Sequence, residues 1–143
     1  MRSRLVYSAP MPCRTEAQAG TLTALIVDDD QDMRLLLRSF LTRAGLEVVE
    51  EAVDGPEALE VFGRLDPPSR PTVIVLDNLM PTLSGLEVAA AVLALVPEQC
   101  IVLFSAFLDA DIEREAAALG VRACLPKTEI RQLADLITTL AQS

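Results

Sequence analysis

The 143-residue sequence contains no histidine and no tryptophan, and only 3% of its residues are aromatic. Without histidine, most zinc sites and all histidine-based catalytic triads are excluded. The three cysteines are scattered and form no CxxC pair, a pattern that favours reduced thiols in the cytoplasm. No uninterrupted apolar run reaches the roughly 18 residues of a membrane span, so no membrane partner is expected. Any bound metal should therefore be a hard cation held by oxygen atoms.

Positive charge is also scarce. The chain has 12 lysine and arginine residues against 21 acidic ones, a net charge of −9, and Lys127 is its only lysine. Residues 23–143 carry −11, because the first 22 residues hold three arginines and one glutamate. Such a surface repels phosphate backbones, so no nucleic-acid partner is expected.

Residues 1–22 differ from the rest of the chain. Pro10, Pro12 and Gly20 interrupt them, and they show no hydrophobic periodicity. We predict a disordered or extended leader here; the alternatives are a misassigned start codon and a docking segment. Residues 23–143 are long enough for one domain with a core of its own.

From residue 23 onward, strand patterns alternate with helical ones. Strands are predicted at 23–27, 46–52, 72–77, 100–105 and 121–125. Helices are predicted at 33–45, from Gly55 to about Leu65, at 85–96, from Asp109 to Leu119, and from a Thr128 cap to about Leu140. The first, third and fourth strands are continuously apolar, as expected for a parallel sheet covered on both faces. The chain is therefore predicted to be a (βα)5 doubly wound α/β sandwich, with the glutamate-rich second strand at an edge.

Polar residues follow four of these strands, where parallel sheets carry their functional sites. Asp28 and Asp29 follow strand 1, Asp77 follows strand 3, Ser105 ends strand 4, and Lys127 follows strand 5. Each residue alone is an ordinary turn, cap or surface residue, and only their joint occurrence indicates a site. The aspartates suit Mg²⁺, which prefers oxygen ligands. Asp77 can then act as a carboxylate nucleophile for a phosphoryl group, with Lys127 and Ser105 contacting the phosphoryl oxygens.

These motifs resemble the receiver domain of bacterial two-component response regulators. The resemblance covers residues 23–143 and is carried by IVDDD (26–30) with Met33 and Arg34, VLDNLMPTLSGLEV (75–88), LFSA (103–106) and LPKT (125–128). It implies a flavodoxin-like sheet of strand order 2-1-3-4-5. It also implies the following roles: Asp77 as phosphoacceptor, Asp28 and Asp29 as acidic Mg²⁺ residues, the Leu79 main-chain carbonyl as a further ligand, and Ser105 and Lys127 as the hydroxyl and the lysine. Mn²⁺ is an alternative metal.

Four positions depart from the family pattern. One is Thr128, which stands where the family lysine is commonly followed by a proline. Cys124 stands where the family usually has an aromatic residue three positions before the lysine, so the usual aromatic readout is absent. Leu79 and Phe107 lie two residues after Asp77 and Ser105, where they flank an attacking water, and neither can orient it. We therefore expect slow loss of the phosphoryl group, because these two side chains would form a hydrophobic lid that excludes the attacking water. Asp30 is better interpreted as a helix cap and Asp32 as a surface residue.

No output-domain segment follows the last predicted helix, so the sequence predicts a stand-alone response regulator rather than a conventional enzyme. Its expected partners are a histidine kinase or a histidine phosphotransfer protein, and a downstream protein that binds the face formed by helix 4, strand 5 and helix 5. A phosphate shuttle and a terminal output both remain open, as does a homodimer. The main alternative is a degenerate receiver that binds proteins without phosphorylation. A haloacid-dehalogenase-like phosphohydrolase is disfavoured because Leu79 replaces its second aspartate.

Overall fold

The computed structural model describes residues 20–142 of the chain. Its five strands are β1 (Thr23–Val27), β2 (Glu47–Ala52), β3 (Val73–Leu76), β4 (Cys100–Ser105) and β5 (Ala123–Pro126). All the strand pairs are parallel, and the sheet order is β2-β1-β3-β4-β5. The predicted doubly wound fold and its strand order are thus confirmed, with β2 at an edge. The predicted leader falls almost wholly outside the described residues.

Five helices connect and follow the strands: α1 (Gln31–Arg43), α2 (Gly55–Gly63), α3 (Gly85–Leu95), α4 (Ala110–Leu119) and α5 (Leu133–Gln142). Side chains cap the first four helices, satisfying N–H groups that have no partner within the helix. Asp30 caps α1 and Ser84 forms a capping box with Glu87 at α3, whereas the Asp54 cap of α2 was not predicted. No helix among residues 20–142 is long and apolar enough to span a membrane.

Apolar side chains form one core on each face of the sheet. The first contains Leu25, Ile74 and Leu103 from the strands and buried residues of α2, α3 and α4. The second contains Ile26, Val75 and Phe104 and buried residues of α1 and α5. Consecutive strand residues point to opposite faces, which explains why these strands are apolar throughout. The sandwich leaves the carboxyl ends of the strands uncovered by helices, and the polar residues follow there.

The start of the last helix was predicted wrongly. Thr128 does not cap it: residues Lys127–Gln132 form a short 3-10 helix without a side-chain cap, and Glu129 inside it has non-helical backbone angles. The α-helix begins only at Leu133, a fully buried residue. Packing of the apolar face against the sheet therefore decides this boundary, and the local sequence preference does not.

The cysteines differ from expectation at one position. Cys124 is a buried free cysteine. Cys100 is disulfide-bonded, so the expectation of reduced thiols is wrong for Cys100. The cytoplasmic location that was inferred from reduced thiols stays a prediction.

Candidate functional site

Backbone hydrogen bonds beyond the strands bring the predicted site residues to one rim of the sheet. The Asp77 N–H donates to the Val27 carbonyl at 2.9 Å, and the Asp28 N–H donates to the Ala52 carbonyl at 3.1 Å. Ser105 pairs with Pro126 across β4 and β5, one residue before Lys127. Since neighbouring parallel strands end side by side, residues from four separate segments of the chain meet at this rim.

Lys127 joins two buried carboxylates. Its Nζ lies 2.8 Å from Asp28 Oδ2 and 3.3 Å from Asp77 Oδ2. Burial lowers the pKa of Lys127, but its hydrogen bonds to both aspartates and their negative charges outweigh burial and raise that pKa above its ordinary value. The ammonium group is therefore charged at neutral pH and offsets the repulsion between the two aspartates.

Asp77 combines burial with nearby negative charge. Only 4% of the residue is exposed, and Asp28 is 1% exposed. Burial and the charge of Asp28 raise the pKa of Asp77 above its ordinary value, although Lys127 and the Leu79 N–H act in the opposite direction. A carboxylate with a raised pKa is a better nucleophile than an ordinary one, because its ionised form is less well stabilised.

The three aspartates also fit a divalent cation. Carboxylate oxygens of Asp28, Asp29 and Asp77 lie within 4.8 Å of one another, with Asp29 exposed and the other two buried. Oxygen donors of this kind suit Mg²⁺, which keeps several water ligands and needs few protein groups. The exposed Asp29 leaves one side open to solvent, which is compatible with those waters and with an incoming phosphoryl group.

Ser105 adds an unsatisfied hydroxyl to this rim. The residue is fully buried, and its Oγ has no hydrogen-bond partner among residues 20–142. Buried hydroxyls are normally hydrogen-bonded, so an unpartnered one requires an explanation. A ligand oxygen bound at the rim would provide the missing partner.

The loop after Asp77 begins with Asn78, a residue whose role the sequence did not reveal. Asn78 is buried, and its Oδ1 accepts a hydrogen bond from the Leu86 N–H at 3.0 Å, while its carbonyl accepts one from the Gly85 N–H at 2.9 Å. These bonds attach the loop to the first turn of α3 and hold Asp77 in place. An asparagine directly after a strand-end aspartate was the available signal, but it is also an ordinary turn residue.

Gly85 is a position where any side chain would displace this loop. A Cβ added there would lie 2.3 Å from the Asp77 carbonyl oxygen and 2.8 Å from the Asn78 Cα, both backbone atoms. We expect Gly85→Ala to lower the free energy of unfolding by roughly 1–3 kcal/mol, the range for overpacking. Urea unfolding followed by circular dichroism measures this change.

Gly63→Ala is the matched control for that substitution. Gly63 lies at the end of α2 and has no atom within 4 Å of an added Cβ, so alanine there should be neutral or slightly stabilising. Equal stability of the Gly85→Ala variant and the wild type would contradict the tight packing described here.

A comparison with protein families decides the identity of this fold. The family model of the response regulator receiver domain matches residues 24–140. The chain belongs to this family.

Relatives of this receiver domain include proteins of two kinds. The chemotaxis protein CheY of Thermotoga maritima is 33% identical over 98 residues, covering 68% of this chain and 78% of CheY. A protein-glutamate methylesterase/protein-glutamine glutaminase of Myxococcus xanthus is 33% identical over 135 residues, covering 85% of this chain but 36% of that protein. The chain therefore spans about a third of the methylesterase's length, and the similarity does not assign that activity here.

Solved structures show the same fold. A chain of the CheX–CheY–BeF3–Mg²⁺ complex from Borrelia burgdorferi superposes with a TM-score of 0.76 at 19% identity, covering 87% of this chain and 93% of that one. At this level of identity, the superposition shows only that the two chains share the receiver fold.

The atypical positions of this receiver domain lie in different surroundings. Cys124 is buried, and burial together with the charge of Glu113 raises its pKa to about 12, so the thiol is not ionised at neutral pH. Leu79 and Phe107 are 56% and 53% exposed. Both side chains are therefore largely exposed in this state, and the hydrophobic lid expected from these two positions stays a prediction.

Proposed function

We propose that this receiver domain accepts a phosphoryl group on Asp77 from a histidine kinase or a histidine phosphotransfer protein. A carboxylate oxygen of Asp77 attacks phosphorus, the phosphorus–nitrogen bond of the phosphohistidine breaks, and its electron pair leaves with the imidazole. The product is an acyl phosphate on Asp77. The observation that carries this proposal is the contact of Lys127 with both Asp28 and Asp77 at a rim that also holds an unpartnered buried hydroxyl.

Different residues of the chain contribute separately to this phosphoryl transfer. Lys127 offers a positive charge within reach of the oxygens that arrive on Asp77, and charge neutralisation is the main requirement of phosphoryl transfer. The Ser105 hydroxyl donates a hydrogen bond to one of those oxygens. The loop held by Asn78 fixes the attacking carboxylate, so little reorientation is needed during the reaction.

Asp28, Asp29, Asp77 and the Leu79 main-chain carbonyl would hold Mg²⁺, or Mn²⁺ in its place. When bound, the ion neutralises negative charge on the aspartates and on the phosphoryl oxygens. Two observations support this assignment: the close spacing of the three carboxylates, and the presence of Mg²⁺ and BeF3 in the complex that contains the Borrelia CheY.

The phosphorylated domain would signal by binding another protein, and it would not act as a conventional enzyme. The face formed by α4, β5 and α5 is the proposed binding surface for the downstream partner, and a homodimer through α4 and α5 is a further prediction of the family resemblance. Phosphorylation can shift the conformation of this face only by the difference in free energy that it creates between two states. A cytoplasmic location and the absence of nucleic-acid and membrane partners remain part of this proposal.

The experiment is incubation of the full chain with acetyl phosphate and Mg²⁺, followed by intact-mass measurement. The wild type should gain one phosphoryl group, and Asp77→Asn should gain none, because the amide is not a nucleophile for phosphorus. Asp66→Asn, an exposed loop position, is the matched control and should behave as the wild type does. If the wild type gains no mass, the protein is a degenerate receiver that acts without phosphorylation.

A second measurement separates the shuttle from the terminal output. Protein labelled on Asp77 is mixed with a histidine phosphotransfer domain, and the label on each protein is followed over time. Return of the label to histidine supports a shuttle, whereas label that stays on this chain supports a terminal output.

A further inference from the structure

Arg34 contacts the main chain of the acidic pair formed by Asp28 and Asp29. Its Nη1 donates a hydrogen bond to the main-chain carbonyl of Asp28 at 2.8 Å, and its Nε lies 3.3 Å from Glu51 Oε1 on β2. That carbonyl belongs to the peptide group that joins Asp28 to Asp29. β1 ends at Val27, so the strand ladder ends before this peptide.

The Asp28 backbone is held on both sides of its Cα. Its N–H donates to the Ala52 carbonyl at 3.1 Å, at the end of β2, and its carbonyl accepts from Arg34. Because the peptide group is planar, fixing this carbonyl restricts the orientation in which the chain continues to Asp29. The contact thereby restricts the position of the exposed Asp29 relative to the buried Asp28.

We infer that Arg34 is a positioning residue that holds Asp28 and Asp29 in the arrangement that binds a divalent cation, with Glu51 orienting the guanidinium. This inference rests on the proposed function, because it concerns the metal site of the phosphorylation centre. Groups that contact metal ligands without touching the metal commonly change its affinity by tenfold or more. A planar guanidinium suits this role because it can bond the carbonyl and the carboxylate in fixed directions at once.

The sign of the effect separates positioning from simple electrostatics. Arg34 carries a positive charge beside a cation site, so its removal should strengthen Mg²⁺ binding if charge alone mattered. Loss of positioning should weaken binding instead. Weaker binding in a variant that lacks this charge therefore identifies a positioning role.

Arg38 provides a control with the same change of charge. Its guanidinium also contacts Glu51, through Nε at 2.7 Å, but within residues 20–142 it makes no hydrogen bond to Asp28, and its side chain is more exposed than that of Arg34. Arg38→Gln should leave Mg²⁺ affinity unchanged or slightly higher, whereas Arg34→Gln should lower it roughly tenfold.

The measurement is the Kd of MgCl2 for the full chain by isothermal titration calorimetry, since the protein has no tryptophan to report binding by fluorescence. Circular dichroism shows that each variant is folded at the titration temperature. Arg34→Lys keeps the charge but loses the simultaneous contact with the carbonyl and the carboxylate. Its Kd for Mg²⁺ should lie between those of the wild type and Arg34→Gln. Glu51→Gln should also weaken binding, but it removes a negative charge as well, so the charge-conserving Arg34→Lys serves as the test if Arg34→Gln does not fold. If Glu51 acts through Arg34, its substitution should have no further effect in the Arg34→Gln background.

Each outcome decides a separate point. A roughly tenfold weaker Kd for Arg34→Gln with an unchanged Kd for Arg38→Gln supports the inference. Binding by Arg34→Gln that equals or exceeds wild-type binding overturns it and leaves the proposed function intact. A wild type that binds no Mg²⁺ overturns the metal step of the proposed function and this inference with it.

Discussion

Replacement of Lys127 by alanine should lower the free energy of unfolding of the metal-free protein by about 3 kcal/mol, because it removes one partner of a buried ion pair. Asp28 and Asp77 are 1% and 4% exposed, and the lysine side chain that contacts both is 15% exposed. Without the ammonium, two buried carboxylates repel each other with neither solvent nor this counter-charge to offset the repulsion. Chemical unfolding in urea, with and without EDTA, measures the loss.

Mg²⁺ should reverse most of this loss. A ligand that binds only the folded state stabilises it by an amount that grows with its concentration over Kd. The variant should therefore gain more stability from Mg²⁺ than the wild type gains, because the ion offsets a larger repulsion. Adding Asp28→Asn to Lys127→Ala should restore metal-free stability, since it removes one of the two charges. A variant as stable as the wild type without metal would contradict this account.

The loss of folding stability in Lys127→Ala should also depend on pH in a defined direction. The pKa of Asp77 is already raised in the folded protein. Removal of Lys127 takes away a positive charge and a hydrogen bond that both lower this pKa. A raised carboxyl pKa favours the folded state at low pH, where the group is protonated, and this contribution is lost as pH rises through the folded-state pKa. The destabilisation by Lys127→Ala should therefore be large at neutral pH and shrink toward the ordinary carboxyl pKa of 3.8.

A polar group at the mouth of the site should accelerate loss of the phosphoryl group. We expect Leu79→Asn and Phe107→Glu to raise the first-order decay rate of the phosphorylated protein by roughly ten- to a hundredfold, toward the range of a positioned acid–base group. Both native side chains are apolar and more than half exposed. Slow decay in the wild type is expected because neither side chain can orient an attacking water by a hydrogen bond.

Leu95→Asn is the matched control for the decay measurement. Leu95 is also exposed, and it is the last residue of α3. The first residue of α3, Gly85, contacts the loop after Asp77, so Leu95 lies a full helix length from the site. The decay rate of this variant in Mg²⁺ buffer should equal that of the wild type. If the Leu79 and Phe107 variants decay no faster than the control, these side chains do not limit hydrolysis.

The sheet could be predicted well because its sequence signals are local. The apolar run of β1 matched the observed Thr23–Val27, and Asp30, Ser84 and Asp109 cap helices as predicted. The start of α5 could not be predicted, because residues Lys127–Gln132 have a helix-like composition and only the burial of Leu133 shows where the α-helix packs.

The residues that form the candidate site could be predicted from the sequence, but the contacts between them could not. Parallel topology requires strand ends to meet, and it predicts that Asp28, Asp77 and Lys127 lie together. The contact of Arg34 with the Asp28 carbonyl depends on how the first turn of α1 lies over β2, which no local pattern encodes. The exposure of Phe107 likewise depends on the conformation of the loop after β4.

The most direct test of the central claim is chemical identification of the phosphorylated residue. Borohydride reduces an aspartyl phosphate to homoserine, so treatment after incubation with acetyl phosphate marks the acceptor for peptide mass spectrometry. The account predicts homoserine at position 77, formed in the presence of Mg²⁺ and largely absent when EDTA is added. Homoserine at another aspartate, or equal labelling of Asp77 with and without Mg²⁺, would contradict it.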